Sequence, residues 1–279
     1  DLNYMESIWW VFKQLWDKDL IYEGFKILPY CPRCSTPLSN FEANQGYEEV
    51  EDPAITIRFM ETERSDLFYL AWTTTPWTLP SNLALAAGPD IDYVEIKDKD
   101  KYYVIAEARL SVYYKTPDEY QITRRFKGRE LNGRTYIPLF PYFAALKNRG
   151  AFKIINADFV SIEDGTGIVH CAPGFGEDDA EAGKKYALPE LCPIDEECKF
   201  TSEVADYCGR YVKDTDKDII RRLKEEGKLV HRSTIRHNYP HCWRDDNPLI
   251  YRSISTWFVK IDAIKEKMLS ANSKINWMP

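Results

Sequence analysis

The sequence predicts a β-rich α+β fold, barrel-like, with helices at its periphery and a small cysteine knuckle at its base. Three observations carry this. Short apolar runs of strand character recur from about residue 45 to 160, separated by turn residues and with few helices between them, unlike an alternating parallel βα array. Helical periodicity is confined to a few stretches outside that region. Cys31-Pro32-Arg33-Cys34 has the spacing of a metal-binding knuckle. With 279 residues, 44% of them apolar and 14% aromatic, the chain can fill a core.

Each element has a local reason. Over residues 4–17, Met5, Ile8, Trp9, Phe12 and Leu15 recur at helical spacing, and Asn3 with Glu6 has the spacing of a capping box. "LIYEGFKILPY" alternates as a strand running into Cys31. "AITIRFM", "LFYLAWTT", "YVEIKDKDKYYVIA" and "AFKIINADFV" read as strands, the third folded at "KDKD" into a hairpin. "GTGIVHCAP" is a further strand, opened by Gly165 and Gly167 and closed by Pro173. "GFGEDDAEAGKKYAL" is a turn entering a helix, with acids at the end the helix dipole favours. Residues 214–226 place acids before bases and Gly227 at the C-terminal cap, a helix signature. The tail from Ser255 holds a strand and a helix. The expected organisation is 1–44 for the first helix, strand and stalk, 45–235 for the main domain, and 236–279 for a returning stalk segment and last helix. The start, "DLNYMESIWW", has no initiator Met, basic n-region or cleavage site, so the chain reads as a piece of a longer protein.

Composition narrows function. No run of about 18 apolar residues exists, so a membrane partner is not expected. A net charge of −7 makes general nucleic-acid attraction poor, and any such contact must use a local patch. "RRFKGR" (Arg124 to Arg129) and the run from Lys213 to Arg244 are the two candidates, each equally readable as a solvated face. Seven cysteines, an odd number, without a secretory signal argue against a disulfide framework and for a reducing, cytoplasmic location.

Three stretches could carry chemistry. In "AWTTTPWTLPSN", strand alternation puts Thr73 and Thr75 on one face and Thr74 on the other, and Pro76 ends the strand. The result is either a pocket of hydroxyls and freed amides or an ordinary strand of β-favouring threonines. In "GTGIVHCAPGFGEDD", His170 and Cys171 are adjacent and point to opposite faces, so they do not form a dyad. Asp178 and Asp179 follow a glycine-bracketed turn, where a carboxylate could grip an ammonium or merely cap the next helix. Cys31 and Cys34 supply half of a tetrahedral site. "HNYPHCWRDD" offers the other half, with Cys242 and Asp245 repeating the spacing and His241 competing for the fourth place.

Together these stretches resemble the editing domain inserted into isoleucyl-tRNA synthetases. "WTTTPWTLPSN" is similar to that family's threonine-rich peptide and "GTGIVHCAPGFGEDD" to its His…Gly-x-x-Asp segment. "NYMESIWWVFKQL", "PYCPRCSTPLSNFEANQGY", "NYPHCWRDDNPLIYRSISTWFVK" and "INWMP" follow in the family's order. Valyl and leucyl editing domains carry Thr-Thr-Arg-Pro, where this chain has Thr75 before Pro76, which points to the isoleucyl branch. The resemblance implies hydrolysis of valine from isoleucine tRNA, and of valyl-adenylate, by a barrel-like editing domain on a zinc-knuckle-like stalk. It implies that Asp179 binds the α-ammonium, that Thr73, Thr74 and Thr75 serve the ester, the ribose and the water, and that His170 limits pocket size. Trp77, Asn82, Tyr239 and Asp178 are the further substrate-binding candidates. Structural zinc on Cys31, Cys34, Cys242 and Asp245 is the one cofactor expected of this segment, since editing needs none. Asp245 stands where the family commonly has Cys. ATP and magnesium belong to the parent synthetic site, and "KEKMLS" only mimics the start of that site's loop. The implied partners are the valine-bearing 3′ end of the tRNA and the rest of the synthetase. A valyl or leucyl editing domain, or an inert tRNA-binding module, are the competing readings.

Overall fold

The computed structural model describes residues 1–278. The chain divides into two units, Asp1–Lys26 with the chain from Ser253 onward, and Ile27–Arg252. The first helix, α1 (Leu2–Asp17), is capped by Asp1, whose carboxylate accepts from the Asn3 amide at 3.0 Å. The expected Asn3–Glu6 box does not form, because an aspartate two residues ahead already satisfies that amide and draws Asn3 into the first turn. In the same unit Trp16 packs edge-on against Trp257 and Tyr22 stacks on Phe258. No helix among the described residues is long and apolar enough to cross a membrane.

The second unit begins within β1 (Ile21–Cys31), which pairs antiparallel with β2 (Thr36–Pro37). The short α2 (Asn40–Ala43) carries a true capping box, Ser39 with Glu42. Then β3 (Tyr47–Met60) runs to β4 (Leu67–Thr73), and β5 (Ala84–Ala87) follows a buried 3-10 turn, Pro76–Ser81. β6 (Asp92–Asp98) and β7 (Lys101–Ala106) form the expected hairpin, followed by α3 (Leu110–Tyr113) and β8 (Gln121–Lys127). β9 (Lys153–Asn156), β10 (Ile168–Cys171), α4 (Glu177–Lys185) and α5 (Asp216–Glu225) lead to β11 (Leu229–Pro240). β12 (Ile250–Val259) lies beside β1, and α6 (Lys265–Asn272) ends the chain's regular structure.

The fold is mixed α and β, with nine strands joined in one sheet among the described residues. Its pivot is β4. One edge of β4 pairs antiparallel with β3; the other pairs with β7 at Leu67–Tyr69, then with β10 at Trp72. The change of partner would strand the Leu70 carbonyl, and the Thr166 hydroxyl fills it at 2.6 Å. From β4 the sheet curls through β10, β5 and β9 into a half-barrel. Residues 133–137 span the remaining gap: Thr135 bridges Lys153 of β9, and Tyr136 bridges Glu61 just past β3. Phe59, Tyr136 and Phe152 meet edge to face beside this seam. The first half of β3 pairs only with β11, as a two-stranded ribbon from Tyr47 to Pro53, so the missing N–H of Pro53 faces the unpaired side. The ribbon ends at Gly46, whose carbonyl accepts from His241.

Gly167, at φ +75°, opens β10 where an added Cβ would lie 2.5 Å from the Ala106 Cβ. Its carbonyl accepts from the buried Tyr93 hydroxyl, which itself accepts from Gly88. Gly167→Ala combines left-handed backbone strain with overpacking, and we expect a loss of about 2–4 kcal/mol in urea unfolding.

Candidate functional site

Pro76 has no N–H and takes the first position of the 3-10 turn, so β4 cannot continue past the threonines. The strand end therefore opens on a cavity of about 280 Å³ rather than on another ladder. Thr73, Thr74, Thr75 and Thr78 line it together with His170 from β10 and Asp179 from α4. Trp72, Val169 and Phe175 supply apolar wall.

The hydroxyls form a connected set. Thr73 Oγ1 accepts from the Thr75 amide at 3.1 Å, Thr75 Oγ1 lies 3.2 Å from Thr78 Oγ1, and Thr78 Oγ1 donates to the Thr75 carbonyl at 2.8 Å. Thr78 Oγ1 also lies 2.8 Å from His170 Nε2, and Asn82 Nδ2 lies 3.0 Å from His170 Nδ1. Asn82 is oriented by its neighbours: Nδ2 donates to the Ala84 carbonyl and Oδ1 accepts from the Tyr136 hydroxyl at 2.6 Å. Its second amide proton must go to His170 Nδ1, because an NH₂ group cannot accept. The imidazole therefore carries its proton on Nε2 and donates it to Thr78. Burial lowers the His170 pKa to about 4, which keeps the ring neutral. A ring with both nitrogens engaged is a wall, not a free base. The Thr74 hydroxyl, by contrast, has no partner among the described residues.

Asp179 does not cap its own helix. Its carboxylate reaches back across the turn to accept from the Ala172 amide at 2.9 Å, and Cys171 on the strand's other face shares it through its thiol. Gly176 permits this, since a Cβ there would lie 2.8 Å from the Asp179 carboxylate. Burial pushes Asp179 up to about 6, against the pull of the Ala172 amide. No cation among the described residues pairs with it.

The other predicted residues are not part of this cavity's lining. Trp77 is buried edge-on against Phe175, 5.0 Å between centroids. Asn82 stands behind His170. Asp178 is exposed on α4. Tyr239 donates to the Leu249 carbonyl at 2.7 Å, with the Lys213 ammonium 3.8 Å above its ring. Three residues that sequence reasoning passed over take structural parts in the site. Thr78 stands three residues after Thr75, the spacing that eclipses side chains in a 3-10 turn, and the quoted motif could have shown it. Asp216 accepts from the Trp77 amide at 2.8 Å and is pushed up by burial to about 7, yet in sequence it is one acid among several at a helix start. Tyr136 carries no local signal at all.

The predicted metal ligands converge. One atom from each of Cys31, Cys34, Cys242 and Asp245 lies within 4.8 Å of all the others. Cys34 Sγ is 3.9 Å from Cys242 Sγ, and the Asp245 carboxylate is 3.1 Å from Cys34 Sγ and 3.4 Å from Cys31 Sγ. Tetrahedral sulfur ligands about 2.3 Å from zinc stand about 3.7 Å apart, so the donor set fits a metal ion of that kind. His241 is not among them; its Nδ1 turns to the Tyr239 carbonyl at 3.0 Å.

The family model described as "tRNA synthetases class I (I, L, M and V)" matches residues 1–279. Isoleucine–tRNA ligase of Treponema denticola is 53% identical over 99% of this chain and 28% of its own length. That of Protochlamydia amoebophila is 51% identical over 100% of the chain and 27% of its own length. The chain thus spans little more than a quarter of these curated relatives. Among solved structures, the P. knowlesi cytosolic leucyl-tRNA synthetase editing domain covers 68% of this chain and 99% of itself at 13% identity, with a TM-score of 0.48. A family match over the whole length, together with relatives that half its residues reproduce, makes this chain a member of the class I tRNA synthetases of the isoleucine, leucine, methionine and valine group.

Proposed function

We propose that the cavity hydrolyses the ester between valine and the 3′-terminal adenosine of isoleucine tRNA, and that valyl-adenylate is a second substrate. One observation carries this reading: a half-buried carboxylate without a cation partner lines the same small cavity as a set of threonine hydroxyls. The α-ammonium is the fixed positive charge of an aminoacyl ester, and Asp179 would hold it by charge-assisted hydrogen bonds. The cavity is smaller than the roughly 300–1,000 Å³ of pockets for drug-sized ligands, which suits one small aliphatic side chain. A first selection by size separates isoleucine from valine by only about 150-fold, a figure already established for this very enzyme class, so a second sieve is needed.

The residues then take distinct parts. Thr74, with its hydroxyl free, is placed to bind the ester oxygen or the attacking water. Thr73 and Thr75 are tied to each other and to Thr78, and they fix the rim against which the ribose rests. His170, neutral and tethered, sets the floor that excludes a longer side chain. With His170 tethered and Asp179 on the ammonium, the attacking water passes its proton to the substrate's vicinal ribose hydroxyl, which gives its own to the departing ribose oxygen as the ester bond breaks. Catalysis rests on positioning and oxyanion stabilisation. Trp77 and Asn82 act through Phe175 and His170; Asp178 and Tyr239 are candidates for the outer contacts of the terminal nucleotide. Zinc on the Cys31, Cys34, Cys242 and Asp245 cluster would fasten the end of the ribbon and take no part in the hydrolysis.

Asp179→Ala is expected to lower kcat/KM for valyl-tRNA about 100-fold, the scale of a charged hydrogen bond; parental activity would remove Asp179 as the anchor. The anchor must be ionised, so the parental kcat/KM should rise with pH through about 6. The same shift sets stability in the opposite sense. The native chain keeps the Asp179 proton to about 6 while the unfolded chain loses it near about 3.9, so stability falls as pH rises between the two. Asp179→Asn should then be inactive yet no less stable than the parent at pH 7.5, measured by thermal melting. His170→Ala should admit isoleucyl-tRNA, and continued exclusion would take His170 out of the size filter. Elemental analysis should find one zinc per chain, lost together with melting temperature in Cys34→Ser.

A further inference from the structure

The two basic patches of the sequence meet different fates. In "RRFKGR" all four bases are neutralised: Arg124 by Glu130, Arg125 by Glu107, Lys127 by Asp92 and Arg129 by Asp90. In the later run, bases instead converge on an open groove of about 500 Å³ between α5 and the start of β11. Lys217, Arg221 and Lys224 line it from one helix face, and His231 and Arg232 line it from the strand. Ile220, Leu229 and Val230 form its floor, and no acidic side chain lines it. Lys217, Lys224 and Arg232 make no ion pair among the described residues. Arg221 has a partner, Asp218, but shares it with Arg210.

This concentration of free cations stands on a chain of net charge −7, so it is local rather than general attraction. Its position is informative. Asp216, directly before Lys217, holds the amide of Trp77 in the turn that follows the threonines. The basic row therefore starts one residue past a contact to the turn that follows the cavity's threonines and runs along α5. From Lys217 to Lys224 it covers about 10 Å, the rise of seven helical residues. We propose that this groove holds the sugar-phosphate backbone of the RNA whose 3′ end enters the threonine cavity. This rests on the hydrolytic reading above for the identity of that end.

The test uses the chain, its Lys217→Ala/Lys224→Ala/Arg232→Ala variant and an Arg124→Ala/Arg125→Ala control. The probe is a short RNA hairpin with a single-stranded 3′ adenosine, followed by fluorescence anisotropy from 50 to 200 mM KCl. The triple variant should bind about tenfold more weakly at mid-range salt, and its slope of log K against log[KCl] should be shallower by about 2, for three lost phosphate contacts. The control should match the parent. An unchanged slope in the triple variant overturns the proposal, and so does an equal loss in the control, which would mean diffuse attraction. Hydrolysis of the valyl ester of adenosine, which lacks an RNA body, should proceed at the parental rate in the triple variant. Its loss there would overturn a pure docking role. If the parent fails to cleave that ester while the triple variant still loses its slope, the hydrolytic reading falls and the groove stands.

Discussion

Asn82 carries two amide protons, and where they go decides the chemistry of the cavity. One is taken by the Ala84 carbonyl, and the other has His170 Nδ1 as its acceptor. From that follow the tautomer of the imidazole, the direction of its bond to Thr78, and the bond from Thr78 to the Thr75 carbonyl. A buried polar group left unsatisfied costs about 1–3 kcal/mol, so a chain of this kind has one low-energy arrangement and little freedom to adopt another. The threonine rim is rigid because its members satisfy each other. Thr74 stands out as the member with nothing to satisfy it.

The two carboxylates near the cavity differ in what they face. Asp179 looks into the cavity with no cation beside it, while Asp216 is turned to the backbone of the 3-10 turn, near Lys213 and Asp52. Burial raises both. Each accepts a backbone amide, Asp179 that of Ala172 and Asp216 that of Trp77, and Asp216 has the Lys213 cation near it in addition. Asp179 is the one of the two that lines the cavity, and it does so without a cation partner among the described residues.

Much of the architecture was legible because it follows from local chemistry. The β6–β7 hairpin declared itself by its lysine–aspartate turn, α5 by its charge order and Gly227, and the end of β4 by Pro76. The elements that escaped notice have weak or misleading local signals. β5 is built from Ala84 to Ala87, residues of poor strand propensity made buried by neighbours on both sides. β8 and β11 drew the eye for charge, since their exposed positions carry the bases. The threonines, His170 and Asp179 were singled out through the resemblance to a known family and line one cavity, while Cys31, Cys34, Cys242 and Asp245 were singled out by spacing and converge. Tyr136 lies 54 residues from Asn82, and Asp216 lies 139 from Trp77. Such partnerships depend on chain topology, which no local window contains.

The seam at residues 133–137 gives the last connection. It spans the gap with a single bridge on either side, as sparse as the one pair that joins β4 to β10, and Tyr136 on that seam also donates to Asn82. The tyrosine is thus a latch with two duties. When the seam breathes, the orientation of the amide, and through it the imidazole, loses its reference. The orientation of Asn82, and through it of the imidazole, is tied to one of the sparsest joints of the ring, where amide exchange would report local opening.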